Sequence, residues 1–144
     1  MPLSANEQHI ILSILLMAGL HGLMLVWMGC TRVPALFLFP VKNPKSQKQV
    51  LDSLPRWARW PADNYNNISE APTSFYAVAI AIILLDRADY WDAVLCLSFV
   101  GLRFVHSVFQ ATINFVPVRF GLFALSWGVL IALTVRHLIS LLGH

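Results

Sequence analysis

Charge is scarce in this chain: Asp, Glu, Lys and Arg make up 12% of its 144 residues, against about a quarter in soluble domains. Apolar residues make up 58%, and the mean hydropathy is +0.67. A chain this short and this apolar has too little polar surface to cover a core in water, whereas lipid solvates the excess directly. A soluble globular domain is excluded, and an integral membrane protein of one domain, residues 1–144, is expected. Cysteine is nearly absent. Cys30 and Cys96 fall at opposite ends of their expected helices, too far apart in depth for an intrachain disulfide. The sequence shows no metal-ligand cluster, no Ser/His/Asp constellation, no phosphate-binding loop and no internal repeat. His21 and His106 are the minimum for a bis-histidine haem and leave that option open. The net charge of +3 matters less than its placement, because Arg32, Lys42, Lys45, Lys48, Arg56 and Arg59 gather between residues 31 and 60. Such clustering is a signal of membrane orientation, not of a nucleic-acid surface.

The run from His9 to Met28 contains no Asp, Glu, Lys or Arg, and Ser4 with Glu7 reads as a capping box ahead of it. A first membrane helix is expected at about 8–29, retained rather than cleaved, since no small-x-small cleavage site follows. Pro34, Pro40, Pro44, Pro55 and Pro61 then break the pattern, so residues 31–62 are expected to form a polar loop, with Ala35 to Phe39 too short to span. Helix two is expected at about 64–85, opening with a polar turn. A tight connection at Asp86 to Asp89 precedes helix three, 93–112, for which Asp92 is the expected cap. Pro117 suits the first turn of helix four, 117–136. Short connections force neighbouring helices antiparallel, which gives an all-α, four-transmembrane-helix up-down bundle. The positive-inside rule puts residues 31–62 in the cytoplasm and both termini outside.

Ionisable residues within membrane helices are costly and usually mark function. Glu70 falls near the start of helix two. Arg103 lies nine residues before the end of helix three, with His106 and Gln110 on the same face at i+3 and i+7. Arg119 opens helix four and Arg32 closes helix one. All belong to the cytoplasmic half of the bilayer, while the opposite half reads as nearly pure Leu, Ile, Val, Ala and Phe. Arg32, Arg103 and Arg119 outnumber Asp63 and Glu70, so the convergence suits an anionic ligand. Arg119 opposes the positive end of its helix dipole, an arrangement that an anionic neighbour relieves. Arg32 reads equally well as a membrane anchor. A structural ion pair is one reading of Glu70 with Arg103. His21 reads as a packing residue, Asn114 as a turn residue, and Tyr65, Trp57 and Trp60 as an interfacial belt.

Three segments carry a family resemblance: Asn64-Tyr-Asn-Asn-Ile-Ser-Glu70-Ala-Pro72 with Phe75-Tyr76, Arg103-Phe-Val-His106-Ser107, and Asn114-Phe-Val-Pro117-Val-Arg119-Phe120. Together, over about residues 60 to 135, the chain resembles the MAPEG family (membrane-associated proteins in eicosanoid and glutathione metabolism), and its bacterial branch in particular. The resemblance implies a homotrimer in the bacterial inner (cell) membrane that binds glutathione between subunits. Asn67 and Glu70 match the family's Asn-x-x-Glu, which holds the peptide part of glutathione. Arg103 and His106 match its Arg-x-x-His, and Arg119 its catalytic Arg. Arg32 matches an Arg at the end of helix one. The chain departs from the family pattern at Asp63 and Asn66, where an Arg is usual. It departs again at Gln110, which replaces a ligand-binding Tyr, and at Phe120, which stands where some members have Ser.

The expected activity is that of a glutathione-dependent transferase or peroxidase acting on a lipophilic electrophile from the bilayer. Arg119 is then the catalytic residue, and Asn67, Glu70, Arg103, His106 and Arg32 bind glutathione as co-substrate. The alternatives are a non-catalytic lipid-binding or scaffolding protein and a proton-coupled transporter using Glu70 and His106.

Overall fold

The computed structural model describes residues 2–70 and 72–143, apart from the side chain of Glu70. Within these residues the chain forms six helices and no strand: α1 (Ala5–Leu38), α2 (Gln47–Ser53), α3 (Arg56–Glu70), α4 (Pro72–Leu84), α5 (Tyr90–Thr112) and α6 (Val116–Leu142). Four segments, Ala5–Leu38, Arg56–Leu84, Tyr90–Thr112 and Val116–Leu142, are long and apolar enough to cross a bilayer. The protein is an integral membrane protein built on four spanning helices, the second of which is made by α3 and α4 together.

The helices outrun their expected ends, and packing explains where. α1 does not stop near residue 29 but continues through Pro34 to Leu38. Proline inside a helix removes one backbone hydrogen bond, a loss that membrane helices tolerate where neighbours re-satisfy the backbone. The extension is held by tertiary contact: Ala35 is fully buried against Leu54 and Ala58. Residues 31–62 are therefore largely helical and not a loop, and Arg32 lies inside α1 instead of closing it. α3 likewise starts at Arg56 and carries Pro61 in its interior. Pro72 is the first described residue of α4. Ala71, within the expected helix two, lies outside the described residues.

α5 is capped by Asp89, not by Asp92. The Asp89 side chain accepts from the Asp92 N–H at 3.0 Å, and the Asp92 carboxylate accepts from the Asp89 N–H at the same distance. This reciprocal capping box starts the helix at Tyr90. At its other end Asn114 adopts φ 54°, a left-handed conformation that Asn enters more readily than most side chains. Its N–H bonds back to the Phe109 carbonyl at 2.9 Å, closing the helix.

The core forms where α1, α3, α4 and α5 meet. Ile10, Met17, Met24, Ile68, Phe75, Phe99 and Ile82 are buried there, and Phe75 stacks on Phe99 with centroids 4.6 Å apart. α6 packs mainly on α5 and buries only Ser126, Leu130 and Leu133, so most of its surface faces outward. Tyr65 packs against this core and against His21, at a ring separation of 5.2 Å. His21 also engages Ser69, with Nε2 3.0 Å from the hydroxyl.

Candidate functional site

The polar face of α5 turns inward. Arg103, His106, Ser107 and Gln110 are all buried, at 1%, 2%, 1% and 4% exposure, as their i, i+3, i+4, i+7 spacing on one helix face requires. Arg103 Nη1 donates to Asn67 Oδ1 at 3.4 Å, joining α5 to α3. The same guanidinium lies over two rings, 5.6 Å from the centroid of Phe99 and 5.2 Å from that of Phe123. Aromatic faces stabilise a desolvated cation, but they leave its remaining N–H groups unanswered. Arg103 Nε and Nη2, Ser107 Oγ, Gln110 Oε1 and both amide atoms of Asn64 have no hydrogen-bond partner among the described residues. Such groups are costly unless a ligand, a water or another side chain meets them. Glu70, the expected partner of Arg103, closes α3, and its side chain lies outside the described residues.

Arg119 is positioned by the turn before it. Asn114, held in its left-handed conformation by the end of α5, turns its side-chain oxygen toward α6 and accepts from Arg119 Nη1 at 2.7 Å. One residue therefore both ends α5 and orients the cation of α6. The sequence reading saw only the turn. Among the described residues no carboxylate lies within ion-pair distance of Arg119.

Asn67, His106 and Arg119 come together around one cavity of about 220 Å³, completed by Val116, Phe120 and Phe123. Three helices thus contribute: α3 an amide, α5 an imidazole, α6 a guanidinium and an aromatic wall. Phe120 and Val116 are 67% and 58% exposed, so the cavity opens onto the exposed surface of α6. Arg103 stands behind it on the Asn67 amide and the Phe123 ring. Arg32 does not join this group. It lines a different cavity, of about 430 Å³, with Lys48, Arg59, Asp52, Asp63 and Asn66. Gln110 is buried between helices and does not line the 220 Å³ cavity.

A second polar cluster occupies the opposite end of α5, in the half of the bundle that reads from sequence as nearly pure Leu, Ile, Val, Ala and Phe. Asp92 is completely buried, 3.1 Å from Arg136 Nη1 and 2.9 Å from His137 Nε2. Arg136 also pairs with Asp89. That hydrogen bond holds the Asp89 carboxyl below its ordinary value of 3.8, against a smaller opposing effect of burial. Asp89 was legible as part of a polar connection, Asp92 as a cap, and Arg136 and His137 as the end of helix four. Their pairing follows from the antiparallel packing of α5 and α6, which brings residues 44 to 47 positions apart together. Among the described residues no group of three or more His, Cys, Asp or Glu is placed to hold a metal ion.

The model of the MAPEG family matches residues 10–139, nearly the whole chain. The chain belongs to the MAPEG family. No curated protein and no solved structure gives a significant match. The MAPEG family includes glutathione transferases and peroxidases and eicosanoid synthases, and its members commonly use glutathione.

Proposed function

We propose that this MAPEG protein is a glutathione-dependent transferase or peroxidase that acts on lipophilic electrophiles drawn from the bilayer. The observation that carries the reading is the cavity where the amide of Asn67, the imidazole of His106 and the guanidinium of Arg119 meet beside an exposed apolar wall. An anionic peptide suits the unmatched cation. A guanidinium next to the cysteine thiol of glutathione favours the thiolate, the nucleophilic form. The first-turn amides of α6 add to the same field. Asn67, Glu70, Arg103 and His106 orient the peptide so that its sulfur faces the apolar side, where the electrophile arrives past Val116 and Phe120. The thiolate attacks the electrophilic carbon and expels its leaving group. With a hydroperoxide it attacks the terminal oxygen and breaks the O–O bond, releasing the alcohol on protonation, and a second glutathione thiol then displaces water from the resulting sulfenic acid to give the disulfide.

At about 220 Å³ the cavity is smaller than the ~300 Å³ at which small-molecule sites begin, and one side is open. A homotrimer supplies the missing wall: a neighbouring copy closes the site, and its Arg32 comes from a surface remote from its own Arg119 cavity. The exposed Ala124 and Gly128 on α6 permit close approach of another helix. The cation-rich segment 31–62 faces the cytoplasm of a bacterial cell, where glutathione resides, and both termini lie outside. Impermeant thiol labelling from outside should then modify a cysteine placed at Ser4 and spare one at Lys45; the reverse pattern inverts the topology.

Calorimetric titration of the detergent-solubilised protein with glutathione tests the assignment, together with thiolate absorbance of the bound complex. Saturable binding with thiolate absorbance is expected. A second reading, a non-catalytic lipid-binding or scaffolding protein, draws on the displacement of Gln110 from the cavity and on Asp63 and Asn66 where the family usually has Arg. Purified protein that carries lipid and gives no glutathione heat would favour it.

A further inference from the structure

The polar cluster at the N-terminal end of α5 leaves one cation over. Arg136 is engaged by Asp89 and Asp92, and His137 by Asp92. Arg87, on the exposed connection between α4 and α5, instead reaches the end of α6. There its Nη1 donates to the Ser140 hydroxyl at 3.2 Å and to the Ser140 carbonyl at 3.5 Å. Among the described residues no carboxylate lies within ion-pair distance of it. Arg87, Ser140, Asp89, Arg136 and His137 line an open cavity of about 420 Å³. A second, largely apolar furrow of about 180 Å³ runs along α4 and α6 past Val78, Ala81, Leu85, Leu138 and Leu141, and His137 borders both. The two features therefore join. A guanidinium and a hydroxyl stand at the mouth of a groove lined by alkyl side chains, at the end of spanning helices where hydrocarbon gives way to headgroups.

We propose that this junction binds an anionic glycerophospholipid, with its phosphate on Arg87 and Ser140 and one acyl chain in the furrow between α4 and α6. The guanidinium fork matches the two non-bridging phosphate oxygens, and the serine hydroxyl donates to one of them as well. A cation does not fit, because the carboxylates of Asp89 and Asp92 are already held by Arg136 and His137. A free anion would leave the furrow empty. The site is independent of the glutathione reading: Asp92 and Arg103 are eleven residues apart on α5, or about 16 Å at 1.5 Å per residue.

Native mass spectrometry of the full-length protein in neutral detergent tests the site with three probes: phosphatidylglycerol, a diacylglycerol of the same chains, and inorganic phosphate. Phosphatidylglycerol should be retained about tenfold better than diacylglycerol, the value of one charged contact, and excess inorganic phosphate should not displace it. Arg87→Gln should lower phosphatidylglycerol occupancy by about the same factor, Arg87→Lys by less, and Ala81→Trp, which fills the furrow, should also lower it. A photoreactive benzophenone side chain at position 138 should cross-link to lipid in vesicles of phosphatidylglycerol. Equal retention of diacylglycerol, or full occupancy in a folded Arg87→Gln protein, overturns the proposal. So does displacement by inorganic phosphate, which would make this a free-anion site. Cross-linking of position 138 to a second copy of the chain, with no lipid adduct, would make the furrow a subunit interface and overturn it equally.

Discussion

At its N-terminal end α5 presents Asp92, fully buried, to Arg136 and His137 of α6. In its C-terminal half it presents Arg103 and His106, almost as deeply buried, to Asn67 and two aromatic rings. Both regions hold charge in an apolar bundle, yet they are satisfied differently. The first is closed, because its carboxylates and cations answer one another and fasten two helices. The second is open: several of its buried polar atoms lack partners among the described residues, and Arg119 beside it has an amide but no carboxylate. A closed cluster stabilises and gains little from a ligand, whereas an open one is completed by it.

The contrast should show most strongly in turnover. Arg119→Leu should reduce conjugation of glutathione to a model electrophile by about a hundredfold, as loss of one charge-stabilising donor commonly does. Glutathione binding should weaken much less, because Asn67 and Glu70 still hold the peptide. Undiminished turnover would remove Arg119 from the chemistry and turn attention to Arg32. At the closed end, Asp92→Ala should leave turnover near the parent value while lowering stability by about 3 kcal/mol, since it breaks a buried, hydrogen-bonded charge cluster. Thermal unfolding in detergent measures this, and an unchanged midpoint would mean that the cluster fastens nothing.

A smaller effect is expected from coupling within the open region. In a double-mutant cycle, Glu70→Gln and Arg103→Gln should deviate from additivity by about 1 kcal/mol, because Glu70→Gln removes the carboxylate expected to answer the buried Arg103 guanidinium. Strict additivity would separate the two residues. The smallest effect concerns pH. The Asp89 carboxyl is held below its ordinary 3.8 by Arg136, so its contribution to stability is complete above that value and fades as the pH falls through its lowered folded value. Asp89→Asn should flatten the stability profile in that acidic window and leave its neutral arm parallel to that of the parent. An unaltered acid slope would show that Asp89 and Arg136 do not stay paired.

Much of this was legible because hydropathy and periodicity are local. The four spanning segments follow from runs of apolar residues, the inward face of α5 from the spacing of Arg103, His106 and Gln110, and the capping box at Ser4 and Glu7 from two side chains. Helix ends were harder. Pro34 and Pro61 suggested breaks, and their helices continue through them because Ala35 and Ala58 bury against each other and hold the segments together. Asp92 looked like a cap and Arg136 like a helix terminus; nothing within several turns of either residue announced their pairing.

The division between chain and fold is therefore one of range. The sequence by itself determined that the protein is apolar enough to live in a bilayer, crosses it with four helical segments, and sets Arg103, His106 and Gln110 on one face of the third. Only the tertiary structure decided which polar groups share a cavity. It placed Asn67, His106 and Arg119 together, set Arg32 beside Asp63 in another cavity, and joined Asp92 to His137 across α5 and α6. The physical reason is that burial and spacing are properties of one helix, whereas the meeting of two side chains depends on how far each helix runs and how it packs on its neighbour.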